Sequence, residues 1–168
     1  MGTVVGLVYL SITVMLQLAV FSRLPLLNGT ADVVLLSLIV WALQENVKIW
    51  EVWFWTLFAA IFISFISAVP PISIILSYVL IVLMVRWLQR RVWKASIWAL
   101  LISVVLGTLF QQTIILFVLR IINNEPLPIS ESYIFIILPS MVLNLLFAVP
   151  IYLLIKDIAE WLYPVEVE

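Results

Sequence analysis

The stretch Val52–Val85, VWFWTLFAAIFISFISAVPPISIILSYVLIVLMV, runs for 34 residues without an Asp, Glu, Lys or Arg, and it decides the fold. As one straight helix it would be about 51 Å long, against a hydrocarbon core of about 30 Å, so it must turn back on itself. Pro70-Pro71 marks the place, because the second proline excludes the first from the α region and both lack a backbone donor. Two antiparallel helices follow, at about 51–69 and 72–91. The second runs past Arg86 because a long basic side chain can reach back to the headgroup level.

Working outward, the other long uncharged intervals are 1–22, 33–44, 95–119 and 132–155. The first has no basic leader and no clear small-x-small cleavage site, so it reads as a retained span and not as a signal peptide. The sum is an all-α integral membrane protein, a six-transmembrane-helix bundle in one domain with helices at about 2–22, 31–45, 51–69, 72–91, 95–119 and 132–156. The second is the shortest: its 12 uncharged residues cover about 18 Å, so it must tilt, lengthen at its ends or dip in without crossing. Composition agrees, with 66% apolar and 10% charged residues where a soluble domain carries about a quarter charged.

Lys and Arg are retained on the cytoplasmic side, and Arg86, Arg90, Arg91 and Lys94 crowd one short loop. Placing that loop inside also puts both termini, Lys48 and Lys156 inside, leaving only Arg23 and Arg120 outside. The eight tryptophans then fall at or near the cytoplasmic helix ends, the level that indole prefers. Topology and contact with lipid headgroups account for the basic loop without invoking nucleic acid, and a cytoplasmic partner remains open.

Close helix approach in lipid uses small residues and a few interhelical hydrogen bonds. Ala95, Ala99, Ser103, Gly107 and Gln111 recur every four residues on the fifth helix, as do Ala60, Ser64 and Ala68 on the third and Ser140, Asn144 and Ala148 on the sixth. Such faces pack within the bundle or against another protein. Gln17, Gln111, Gln112 and Asn144 are polar groups within spans, which seek a partner or line a cavity. Asp32 follows Asn28-Gly29-Thr30 at the external start of the second helix, where a carboxylate caps unpaired amides.

Catalysis finds little support. The chain has no histidine and no cysteine, which removes the commonest general base, the commonest metal ligand and all thiolate chemistry. It has no Gly-x-Ser-x-Gly elbow, no His-Glu-x-x-His and no Gly-rich phosphate loop. No enzyme activity and no cofactor are expected.

Two stretches carry a family resemblance. Leu16-Gln17, Phe21 and Arg23-Leu24-Pro25-Leu26 are followed by Asn28-Gly29 and Asp32-Val33-Val34-Leu35-Leu36, and further on by Ser64, Ser67, Pro70-Pro71 and Ser77-Tyr78. This pattern resembles MreD, the small membrane subunit of the bacterial rod-shape machinery, with departures at Ala31, where the family often has proline, and Ser64, where aspartate is common. The resemblance implies a non-catalytic scaffold in the bacterial cytoplasmic membrane. Its implied partners are MreC and, through it, MreB filaments, a RodA-type glycosyltransferase and a class B penicillin-binding protein. It also implies likeness in fold to the substrate-binding subunits of energy-coupling-factor vitamin transporters. That suggests the alternative, a vitamin-type ligand held near Asp32, Asn123, Asn124 and Tyr133.

Overall fold

The computed structural model describes residues 2–21, 29–92, 97–123 and 133–164, and all regular structure among them is helical. The helices are α1 (Gly2–Ala19), α2 (Val33–Leu43), α3 (Ile49–Ile66), α4 (Pro71–Val92), α5 (Ile97–Asn123) and α6 (Leu138–Leu162), the last preceded by a π-helical turn over Tyr133–Ile137. Five stretches are long and apolar enough to cross a membrane: Gly2–Ala19, Ile49–Ile66, Pro71–Gln89, Ile97–Ile122 and Tyr133–Leu162. The sixth helix, α2, has 11 residues and covers about 16 Å.

The helix ends differ from those set by charge alone. α5 reaches Asn123 instead of 119, and α6 reaches Leu162 instead of 156. Arg120 and Lys156 end an apolar interval but not a helix, since straight-chain charged residues have good helix propensity. Conversely α3 stops at Ile66, short of 69, where Ser67 N–H bonds the Ile63 carbonyl at 2.9 Å and residues 67–70 lead out to the double proline. Pro71 then opens α4, a position where its missing donor costs nothing.

Every residue of α2 is buried. Its sequence, VVLLSLIVWAL, is apolar on all sides, so no face prefers the outside and the helix belongs at the centre. The five long helices stand around it in the order α1, α3, α4, α5, α6, each neighbour touching the next and all five touching α2. An edge-to-face contact between Phe21 and Phe147, centroids 4.9 Å apart, brings the end of α1 to α6.

Two tryptophans assigned to the interface from their chain positions instead belong to this core. Trp41 of α2 and Trp55 of α3 are both fully buried, with ring centroids 4.7 Å apart, while Trp50, Trp87, Trp98 and Trp161 are exposed. Trp55 fits because α1 offers Gly6: a Cβ there would lie 2.3 Å from the indole. Gly29 serves the same purpose at the other end of the bundle, passing so close to α6 that a Cβ would meet the Ser140 backbone nitrogen at 2.6 Å.

Replacing Gly6 by Leu should therefore overpack the α1–α3 contact and cost about 1–3 kcal/mol. Gly107→Ala should be nearly neutral, because its nearest contact is the flexible tip of Ile39 at 3.0 Å. Thermal unfolding in detergent, followed by tryptophan fluorescence, compares them; equal midpoints would show that α1 does not press against Trp55.

Candidate functional site

A helix that begins inside a bundle exposes backbone donors where no water can reach them. α2 begins in this way. Its first residues touch Gln111, twelve residues before the end of α5, and Asn144, eleven residues after the π turn opens at Tyr133. Asp32 thus lies about 16–18 Å along these helices from their near ends. It does cap α2, its carboxylate accepting the Leu35 N–H at 2.8 Å, but it does so at depth and not at the outer rim.

Side chains from four long helices saturate this buried start. From α1, Gln17 donates to the Ala31 carbonyl at 2.7 Å and accepts the Val33 N–H at 2.8 Å. From α6, Ser140 accepts the Thr30 N–H at 3.0 Å and Asn144 accepts the Asp32 N–H at 2.8 Å. Asn144 in turn donates to Thr108 of α5 at 2.9 Å. The Asp32 carboxylate receives the Tyr78 hydroxyl from α4, at 3.0 and 3.1 Å from its two oxygens, and the Gln111 amide from α5 at 2.5 Å. Three donor groups thus converge on it.

Asp32 remains partly exposed, because a cavity of about 300 Å³ opens beside it. Gln17, Thr30, Ser67, Tyr78, Gln111 and Gln112 supply its polar lining. Among the described residues no group of His, Cys, Asp or Glu is arranged to hold a metal ion.

The opposite end of α2 is closed by one arginine and one glutamine of α4. Gln89 donates to the Leu43 carbonyl at 2.8 Å, and Arg86 reaches the carbonyls of Val47 at 3.2 Å and Gln44 at 3.5 Å. Positive charge here complements the negative end of the helix dipole, as Asp32 complements the positive end. A second buried acid, Glu51, ties three helices together, accepting from Thr3 at 2.8 Å and from the Tyr163 hydroxyl. Burial, then Glu51, pushes the Tyr163 phenol well above its ordinary value, so it stays a neutral donor.

The small and polar residues picked out on the fifth and sixth helices all point inward: Ala99, Ser103, Gly107, Gln111, Ser140, Asn144 and Ala148 are buried. Ala60 and Ser64 of α3 are buried too, whereas Ala68 is exposed. Ala95 and Lys94 lie outside the described residues, as do the side chains of Arg90 and Arg91. Asp32 and Tyr133 are not brought together, since Tyr133 stands at the start of the π turn and does not line the cavity; Asn124 and the Asn123 side chain are outside the described residues. Sequence reasoning gave no site role to Tyr78, Thr108, Gln89 or Glu51. A tyrosine or threonine in an apolar run is an unspecific signal, and Glu51 and Gln89 read as loop-edge residues.

Asn144→Leu removes an acceptor for Asp32 N–H and a donor to Thr108, and should cost about 1–3 kcal/mol. Gln112→Leu, on the cavity wall, should cost much less. Unfolding midpoints of the two variants measure the difference, and parity would mean that the Asp32 backbone does not depend on Asn144. No family model, curated protein or solved structure matches the chain, so its function is read from the bundle itself.

Proposed function

We propose that this protein is a non-catalytic scaffold of the bacterial cell-elongation complex, an MreD-like subunit that binds MreC. The observation that carries the reading is the meeting of Gln17, Asp32 and Tyr78 at the start of α2. These residues come from the two stretches that resemble MreD, Gln17 and Asp32 from the opening pattern and Tyr78 from the later segment. Their convergence gives that scattered pattern a single physical purpose, holding a buried half-length helix in place.

The outer surface suits the role. Polar and small residues are turned inward, and the outward faces carry apolar rows such as Val4, Val8, Ile12 and Met15 on α1 and Val142, Leu146, Val149 and Leu153 on α6. Another transmembrane helix can pack on such rows through van der Waals contact. In this reading α2 crosses the bundle as the sixth span, the turn at Pro70-Pro71 faces outward, and the Arg86 end and both termini face the cytoplasm of a bacterial inner membrane. Through MreC the scaffold reaches MreB filaments, a RodA-type glycosyltransferase and a class B penicillin-binding protein.

Two measurements test this. Mild-detergent extraction through a small C-terminal tag should recover MreC, with or without the synthases; recovery of transporter ATPases and a bound metabolite would instead select a transporter's substrate-binding subunit, the reading that the cavity favours. Because the chain has no cysteine, single cysteines report sidedness directly. Asn124→Cys should react with a membrane-impermeant thiol reagent on intact spheroplasts and Arg90→Cys only after lysis, and the reverse pattern would invert the orientation.

A further inference from the structure

At the end of the bundle opposite the cavity, the first turn of α1, the start of α3 and the end of α6 meet at one side chain. Glu51 stands in the first turn of α3 and is 5% exposed. One of its carboxyl oxygens accepts the Thr3 hydroxyl of α1 at 2.8 Å, and the other accepts the hydroxyl of Tyr163, the residue that ends α6. Tyr163 is itself anchored, its N–H donating to the Ala159 carbonyl at 2.9 Å. Its ring lies over Gly2, where a Cβ would collide with the phenol oxygen, and Trp55 of α3 donates to the Thr3 carbonyl at 3.3 Å. Together these contacts seat the first turn of α1 on α3 and α6.

α1 is also the least buried of the five long helices, and its broad contacts are with α2 and α3. Toward α6 it is held near its ends, by Tyr163 over Gly2 and by Phe21 against Phe147. Its glycines, Gly2 and Gly6, lie in its first two turns, and no proline or glycine interrupts it from Leu7 to Ala19. A helix without such a break moves as a rod, because sharp kinks need proline, glycine or a bulge.

The far end of that rod belongs to the cavity. Gln17 stands about 21 Å along the axis from Thr3. It holds the Ala31 carbonyl and the Val33 N–H, and with Leu18 it lines the recess beside Asp32. Gln111, Gln112 and Ile115 of α5 line the same recess, yet α1 and α5 share no broad contact. The width of the recess therefore follows from how α1 is seated.

We infer that Tyr163, Glu51 and Thr3 form a latch that sets, through α1, how far the cavity beside Asp32 is open. With the latch made, α1 is seated along its length and Gln17 reaches the start of α2. With it released, the first turn loses its hold on α3 and α6, the rod tilts, and Gln17 and Leu18 move on the cavity wall. The device links the end of α6 to a recess near the other end of the bundle, and it does not depend on MreC.

The chain has no cysteine, so Gln112→Cys places a single reporter thiol on the cavity wall. The test measures the rate at which that thiol reacts with a small hydrophilic methanethiosulfonate reagent, in the purified full chain in phosphatidylcholine nanodiscs. Tyr163→Phe, which deletes the hydroxyl and keeps the ring over Gly2, should raise the rate about threefold or more, the shift in population expected from one hydrogen bond. Thr3→Val should do the same, and if either variant fails to fold the other carries the test. Lys156→Ala, which removes the ion pair to Glu160 on α6, should leave the rate unchanged. A second reporter, Ala42→Cys in the buried middle of α2, should stay slow in the latch variants, which separates opening of the cavity from loosening of the whole bundle. An unchanged rate at position 112 in a folded latch variant, an equal rise with Lys156→Ala, or an equal rise at position 42 would overturn the inference.

Discussion

The structure depends on one constraint, the need to satisfy the two ends of a short helix that lies wholly inside a bundle. In lipid, burying apolar surface yields little of the driving force that it yields in water, because the alternative surroundings are equally apolar. α2 is therefore not held at the centre by hydrophobicity alone. An unsatisfied backbone group in such surroundings costs several kcal/mol, whereas one interhelical hydrogen bond contributes about 1–2 kcal/mol or less. Its ends consequently decide where it can sit. Asp32, Gln17 and Asn144 answer for one end, and Arg86 and Gln89 for the other.

The long helices are arranged by the same need. α1, α4, α5 and α6 each contribute at least one polar side chain to the start of α2, so their rotations about their own axes are fixed by where Gln17, Tyr78, Gln111 and Asn144 must point. Small residues then follow as a geometric consequence. Ser103, Gly107 and Ala148 are buried along the same faces as the polar groups and let the backbones close around α2. The four-residue stripes and the isolated polar residues, which look like separate features along the chain, are two parts of one inner surface.

Much of this was legible in the sequence, and the rest failed for definite reasons. Pro70-Pro71, the uncharged intervals and the brevity of the second helix are local signals, and local signals survive without a structure. The four-residue repeats of α5 and α6 showed which residues share a face but not which way the face turns, since an inner face and a partner face call for the same small residues. Asp32 was legible as a cap, yet its depth was not, because depth depends on how far α5 and α6 extend beyond it. Cutting the chain at charges hid part of that extension by ending α5 at 119 and not at Asn123. Trp41 and Trp55 failed similarly: an indole near a helix end is interfacial only if that end faces outward, and Gly6 had already made room for one of them inside.

The shortness of α2, the depth of Asp32 and the cavity are one property and not three. An 11-residue helix leaves roughly half of a 30 Å hydrocarbon core unfilled along the central axis. The ring of longer helices cannot close over that gap, because α2 holds them apart along its own length. Some of the space is taken by the non-helical backbone from Gly29 to Asp32, which is allowed at this depth because it is buried in protein and borders a cavity. What remains is the cavity, and its floor is the end of α2 that Asp32 caps. A full-length second span would have moved Asp32 to the rim, where water would solvate it, and would have filled the space with side chains. By stopping short, the chain places a carboxylate at the bottom of a recess lined by polar and apolar groups from four other helices.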